Sequence, residues 1–170
     1  MRIGLIADTH LPSLVRSLDE LGPQIADVLR GVDLILHAGD VTAPSVVEWC
    51  AQFAPVLIAE GNNDIFDDAR MAKKQMLDIH GWRIGMAHEL RPESRPIDQI
   101  LQSSLDGERV DVLIGGDTHV ERLEFRDNVL LINCLLYTSD AADDLLCVDL
   151  GGRRMIKKKI ILKTCKTNHN

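Results

Sequence analysis

A chain of 170 residues, 45% hydrophobic and 26% charged, has the size and composition of one soluble domain with its own core. Its formal net charge of −7 argues against nonspecific nucleic-acid binding, and no apolar run reaches the ~18–20 residues that span a bilayer. Charge and cysteine are unevenly placed. Residues 134–170 hold 7 Lys/Arg against 4 Asp/Glu, whereas residues 1–133 hold 12 against 22. Cys50 is the only cysteine before position 134, and Cys134, Cys147 and Cys165 follow. A single cysteine in the first 133 residues predicts a reducing compartment and no disulfide framework.

The N-terminus, MRIGLIADTH, reads as a buried first strand rather than a signal peptide, so a cytoplasmic protein is expected. Arg2–Ala7 is apolar and stops at Asp8-Thr9-His10. Leu14, Leu18, Leu21, Ile25, Val28 and Leu29 recur at helical spacing, which predicts an amphipathic helix over Ser13–Arg30 with a break near Gly22-Pro23. Val32–Leu36 is a second strand, ending at His37-Ala-Gly-Asp40. Ser45–Gln52 reads as helix, and Val56–Ala59 as a third strand ending at Gly61-Asn-Asn-Asp64. Gln75–Ile79 and Arg83–Ala87 form a hairpin around His80-Gly81, whose second arm ends at His88. Ile97–Leu101 is helical in pattern. Val110–Ile114 is a strand ending at Gly115-Gly-Asp-Thr-His119. Glu124–Phe125 and Val129–Ile132 flank a turn at Asp127-Asn128.

Strands alternating with helices predict an α/β sheet. Each strand end alone is ordinary: Asp8 and His10 fit helix capping, Gly39-Asp40 and Gly61–Asp64 fit turns, His88 fits a half-buried histidine, and Thr118-His119 fits a surface loop. Together they form an ordered set, DTH, HAGD, GNND, AHE and GDTH, at the edge of a sheet where ligands gather. Mixed imidazole and oxygen donors suit Mn, Fe, Zn or Co rather than Ca.

On these motifs, residues 1–133 resemble the calcineurin-like metallophosphoesterases, and within them the small single-domain bacterial and archaeal phosphodiesterases. The resemblance implies an α/β fold: a sandwich of two mixed β-sheets flanked by helices, around two divalent cations. Mn is the first expectation, with Fe, Zn, Ni or Co as alternatives. It implies one cation held by Asp8, His10, Asp40 and His119. Asp40 bridges to the other, which takes Asn62, His88 and Asp117. A carboxylate bridge suits cations ~3.5–4 Å apart, and a hydroxide between them would attack phosphorus in line, with no protein nucleophile. The implied partner is a small phosphoester, nucleotide substrates included. Self-association is common among small relatives. His37 is expected to support the ligands from behind, Asp64 to orient Asn62 or a turn, and His80 and His169 to lie on the surface.

Three positions depart from the family pattern. Asp117 stands where the motif Gly-His-Thr-His has its first histidine, adding negative charge. Asn63 stands where larger relatives carry a histidine that protonates the leaving group. Glu89 follows His88 where a glycine is usual, so its side chain is expected to crowd the ligand or to offer it an oxygen. A catalytically impaired scaffold for protein contacts is the competing class. A nucleotide-binding α/β domain is disfavoured by the lack of a G-x-G-x-x-G or G-x-x-x-x-G-K-[ST] loop.

After Asn133 the family continues with Pro-Gly-Ser and two closing strands. This chain continues CLLYTSDAAD, and residues 134–159 resemble the translation of a transposase-based sequencing adapter: Cys134–Asp143 and Cys147–Ile156 follow its two constant segments, with Met155 the one difference in the second. The functional reading therefore rests on residues 1–133, a truncated phosphoesterase domain, with 134–170 an adapter-derived tail in which Leu145–Leu162 has the pattern of a β-hairpin.

Overall fold

The structure, a computed structural model, describes residues 1–134 apart from 15, 93 and 121, together with Cys147–Asp149. The N-terminal apolar run forms β1 (Arg2–Ile6), and β2 (Leu34–His37) and β3 (Val56–Ala59) lie parallel to it in sequence order. Two residues of β4 (Met71–Ala72) extend the sheet beyond β3. On the other side β10 (Cys147–Asp149) pairs antiparallel with β1, Arg2 opposite Asp149. The rest of the hairpin expected over Leu145–Leu162 lies outside the described residues.

The second sheet has the order β5 (Lys74–Ile79), β6 (Trp82–Ala87), β7 (Val112–Gly115), β9 (Val129–Asn133), β8 (Arg122–Arg126). Its central strands β6, β7 and β9 are parallel, and hairpins close both flanks. Both hairpins turn through left-handed residues, His80-Gly81 and Asp127-Asn128, as two-residue loops that match strand twist require.

Period-two alternation decides which face goes where. Ile3, Leu5 and Ala7 with Leu34, Leu36 and Ala38 meet Ile84 and Met86, Val112 and Ile114, and Leu130 and Ile132 in one core between the sheets. The intervening residues face outward and are covered by helices. Ile6, Ile35, Val56 and Ile58 pack with α1 (Gly22–Leu29) and α2 (Pro44–Ala51). Leu113, Val129 and Leu131 pack with α3 (Ile97–Leu105). Strands buried on both faces explain the nearly continuous apolar runs in the sequence. Among the described residues, no helix is long and apolar enough to cross a membrane.

The expected helix over Ser13–Arg30 is corrected to Gly22–Leu29, preceded by a 3-10 turn at Leu18–Leu21. Gly22 takes φ 70°, which ends the turn, and Pro23 in the first turn of α1 starts a new helix. Further upstream, the Ser13 hydroxyl and the Leu14 amide both donate to the His10 carbonyl, at 3.0 and 2.8 Å, closing a turn instead of a helix. Helical periodicity in Leu14 and Leu18 was thus outweighed by the loop that carries His10.

Candidate metal centre

Parallel strands put their carboxyl ends on one edge. In the first sheet β1 leads into Asp8 and His10, β2 into Asp40, and β3 into Asn62. In the second sheet β6 leads into His88 and β7 into Asp117 and His119. The two edges meet. The Asp117 amide donates to Asp8 Oδ1 at 3.2 Å across 109 residues of chain, and His88 Nδ1 meets the Ala38 carbonyl at 2.7 Å.

The tripeptide Asp-Thr-His occurs twice and takes the same backbone turn each time. Asp8 and His10 have φ of 55° and 43°; Asp117 and His119 have φ of 67° and 52°. Asp40 also lies in the left-handed region, at 54°. Short polar side chains tolerate that region best, at a cost of about 1–3 kcal/mol each when the surroundings enforce it. Five of the seven expected ligands thus sit on left-handed backbone.

The side chains converge on Asp40. Its Oδ2 is 3.3 Å from His10 Nε2 and 3.3 Å from His88 Nε2. Asp8 Oδ1 lies 3.6 Å from His119 Nε2 and 3.9 Å from His10 Nε2. The His10 and His119 rings are 5.4 Å apart. Asn62 Oδ1 is 3.1 Å from His88 Nε2, and Asp117 Oδ1 is 4.0 Å from it. Two groups bring their ligand atoms within 4.8 Å of one another: Asp8, His10 and His119, and Asp8, Asp40 and His88. Asp8 therefore stands beside both groups, where the resemblance gave it only to the first. Asp8 and Asp40 are buried, and His119 is exposed on the solvent side.

A second layer fixes these groups. A carbonyl only accepts, so His88 carries its proton on Nδ1, donates to Ala38, and presents Nε2 as a lone pair to the centre. His37 is buried, and both of its ring nitrogens are engaged by Thr9 and Gly39. Gly39 N–H donates to its Nδ1 at 3.2 Å, so Nε2 carries the proton and donates to Thr9 Oγ1, whose hydroxyl goes on to the Val41 carbonyl. Asp64 orients the turn rather than Asn62: its carboxylate accepts the amides of Asp40, Thr42 and Gly61. Asn63 donates its amide to Asp40 Oδ1 at 2.9 Å and its side-chain nitrogen to Oδ2 at 2.7 Å. Asn133, the residue ending β9, donates to Thr118 Oγ1 and to the Val120 carbonyl, pinning the second Asp-Thr-His loop.

Glycines admit the approach of these loops. A Cβ on Gly61 would stand 2.2 Å from Asp40 N and Oδ1; one on Gly39, whose φ is 98°, would stand 2.6 Å from His88 Nδ1. Glu89, by contrast, does not crowd the ligand: the residue is exposed, and its carbonyl accepts the Ser104 hydroxyl.

The donors fit a cation. Among the described residues, Asp8 Oδ2 and His10 Nε2 are buried with no hydrogen-bond partner, and so, apart from the Arg91 ion pair, is Asp117 Oδ2. Buried polar atoms are rarely left so, and a ligand is the ordinary explanation. Burial raises the Asp8 carboxyl above its usual range, against the pull of His88, His119 and the Asp117 amide. At Asp40 burial acts the same way, but the two Asn63 hydrogen bonds, with His88 and His10, together outweigh it and hold the carboxyl below its usual range.

Burial pushes His37 down from 6.5 to about 3, helped by His88. The unfolded chain therefore takes up a proton on His37 between those pH values that the folded chain refuses. The His37 contribution to stability is full above pH 6.5 and is lost as pH drops toward 3, by up to about 1.4 kcal/mol per pH unit. Chemical denaturation in chelator is expected to show that slope, and His37→Gln to flatten it. An unchanged slope in the variant would place the acid sensitivity elsewhere.

All seven residues expected from the sequence meet at one edge. Asn63, Asn133, Thr9 and Arg91 were not anticipated in their observed roles. Asn133 had a signal, being one more polar residue ending a parallel strand; Arg91 had none.

A sandwich of two mixed sheets whose parallel strands deliver this donor set to one edge defines a phosphoesterase fold. A family model for the calcineurin-like phosphoesterase superfamily domain matches residues 1–134, and the chain belongs to that superfamily. A probable metallophosphoesterase of Methanothermobacter thermautotrophicus is 33% identical over 134 residues, 78% of this chain and 75% of that protein. Another, from Methanocaldococcus jannaschii, is 35% identical over 135 residues, 78% of this chain and 66% of its own length. Among solved structures, Vps29 of Chaetomium thermophilum matches with a TM-score of 0.71 over 89% of this chain and 83% of that one, at 18% identity, a likeness of fold.

Proposed function

We propose that this chain hydrolyses phosphodiester or phosphomonoester bonds at a centre of two divalent cations, Mn foremost. The observation that carries the reading is Asp40 Oδ2, equally spaced at 3.3 Å from the Nε2 atoms of His10 and His88. Asp8, His10 and His119 would hold one cation and Asn62, His88 and Asp117 the other, with Asp40 shared. When bound, the cations supply Lewis acidity to the phosphoryl oxygens and lower the pKa of water toward neutrality. The chain's own work is positional. Asn63 aims Asp40, the Ala38 carbonyl aims His88, and Asn133 holds the loop of Asp117 and His119.

Asn63 has no proton to give an alkoxide. General acid catalysis is worth about 10²–10⁴-fold, so aryl phosphodiesters are expected to outrun alkyl ones by at least about 10²-fold. The test is hydrolysis of bis(p-nitrophenyl) phosphate with added Mn²⁺, lost in chelator and restored by Mn²⁺, then repeated with an alkyl diester. Failure to turn over the aryl substrate in the Mn²⁺-bound protein would sink the enzymatic reading.

A second reading, a phosphoesterase-like scaffold for protein contacts, draws on Asp117 in place of the motif histidine and on the fold shared with Vps29, a vacuolar protein sorting protein by name. Calorimetric titration separates the two, since a scaffold has no need of two tight cation sites.

A further inference from the structure

Arg91 lies three residues beyond His88. The residue before it is anchored: Leu90 is 1% exposed and packs where a Cβ on Gly115 would meet it at 2.5 Å. From there the guanidinium turns back to the centre, and its Nε forms an ion pair with Asp117 Oδ2. Asp117 is 8% exposed along its side chain and Arg91 is 59% exposed. The other carboxylate oxygen, Oδ1, faces His88 Nε2. Asp117 is also the position where a carboxylate replaces an imidazole, so the centre gathers three carboxylates, with Asp8 and Asp40. The additional negative charge thus has its own cation in contact with it.

That contact takes an oxygen a metal ion would use. A guanidinium and a divalent cation at the second position compete for one buried carboxylate. We propose that Arg91 is a competing counter-cation for the second metal position, and that the second divalent ion enters by displacing the Arg91 guanidinium from Asp117. The inference rests on the two-cation reading above. Exposure at the arginine end limits the effect. Fully exposed ion pairs are worth up to about fivefold in an equilibrium constant, and the buried aspartate end lifts this to about three- to tenfold. The ion pair therefore weakens the second site without closing it, and the first site is not touched.

Calorimetric titration of the full chain with Mn²⁺ tests this. Wild type is expected to show two binding steps. Arg91→Gln is expected to tighten the second about three- to tenfold and leave the first unchanged, while Arg91→Lys, which keeps the charge but not the planar fork, falls between. In an Asp117→Asn background the Arg91→Gln effect is expected to vanish, because its partner is gone. Two steps in wild type with the second moved less than about twofold by Arg91→Gln, or an effect that persists in Asp117→Asn, would overturn the role of Arg91 alone. One step or none in every variant would overturn the two-cation reading and this inference with it.

Discussion

On the proposed two-cation reading, Asp40→Asn is expected to reduce kcat/KM for an aryl phosphodiester by at least about 10³-fold, because several kcal/mol of charge stabilisation would depend on cations that this side chain would hold together. The reasoning is atomic. Oδ2 faces His10 and His88, and an asparagine that keeps its Oδ1 for the Asn63 amide points its NH₂ group at both imidazoles. His88 presents a lone pair there and tolerates the new donor, but a metal ion does not. The Asn63 side chain, which donates to Oδ2, would have to rotate to present its own oxygen.

Stability responds as well. Without a cation, Asp8 and Asp40 repel each other, and Asp8 is held above its usual range by burial. At Asp40 that repulsion is outweighed by the Asn63 hydrogen bonds and the neighbouring imidazoles, which favour the charged carboxylate in the folded chain, so the chelated variant is expected to melt somewhat lower than chelated wild type. The larger difference lies in the response to metal. At a Mn²⁺ concentration near 100 times Kd, wild type gains about 2.7 kcal/mol. That is roughly 5–10 °C in a domain of this size, and the variant is expected to lose most of it. A variant that keeps both the activity and the metal-induced shift would remove Asp40 from the bridge.

Much of this was legible in the sequence for a physical reason. Strands of parallel sheets are buried on both faces, so their apolar runs stand out, and a polar residue that ends each run is conspicuous. Asp8, Asp40, Asn62, His88 and His119 were found this way. The failures share a different cause. Asn63 doubly binds Asp40, a role that exists only once loops more than 20 residues apart are brought together. Nothing in the sequence announced that the Ser13 hydroxyl and the Leu14 amide would serve the His10 carbonyl instead of a helix. Glu89 was expected at the ligand and faces solvent, since a residue following a strand end has its direction set by the turn and not by its chemistry.

Gly61→Ala is the second large effect expected, and its sign is not obvious from sequence. Gly61 is not in the left-handed region, so alanine is conformationally allowed there and would by itself add about 0.4–1 kcal/mol by stiffening the unfolded chain. Space decides otherwise. The new Cβ would lie 2.2 Å from both Asp40 N and Asp40 Oδ1, closer than any non-bonded carbon approaches. Neither atom is free to yield: Asp64 holds the Asp40 amide and Asn63 holds the carboxylate. Overpacking of this kind costs about 1–3 kcal/mol and outweighs the entropic gain, so the chelated variant is expected to melt about 2–8 °C lower. Relief requires Asp40 to move, and a displacement near 1 Å at a reacting centre costs on the order of 10²-fold in rate. The variant differs from Asp40→Asn in keeping the carboxylate, so it is expected to retain part of the metal-induced rise in melting temperature that Asp40→Asn loses, and melting curves with and without Mn²⁺ tell them apart. A Gly61→Ala protein that melts higher and turns over normally would mean that the β3 loop does not press on Asp40 at all, and the close approach that aims the carboxylate at His10 and His88 would have to be abandoned.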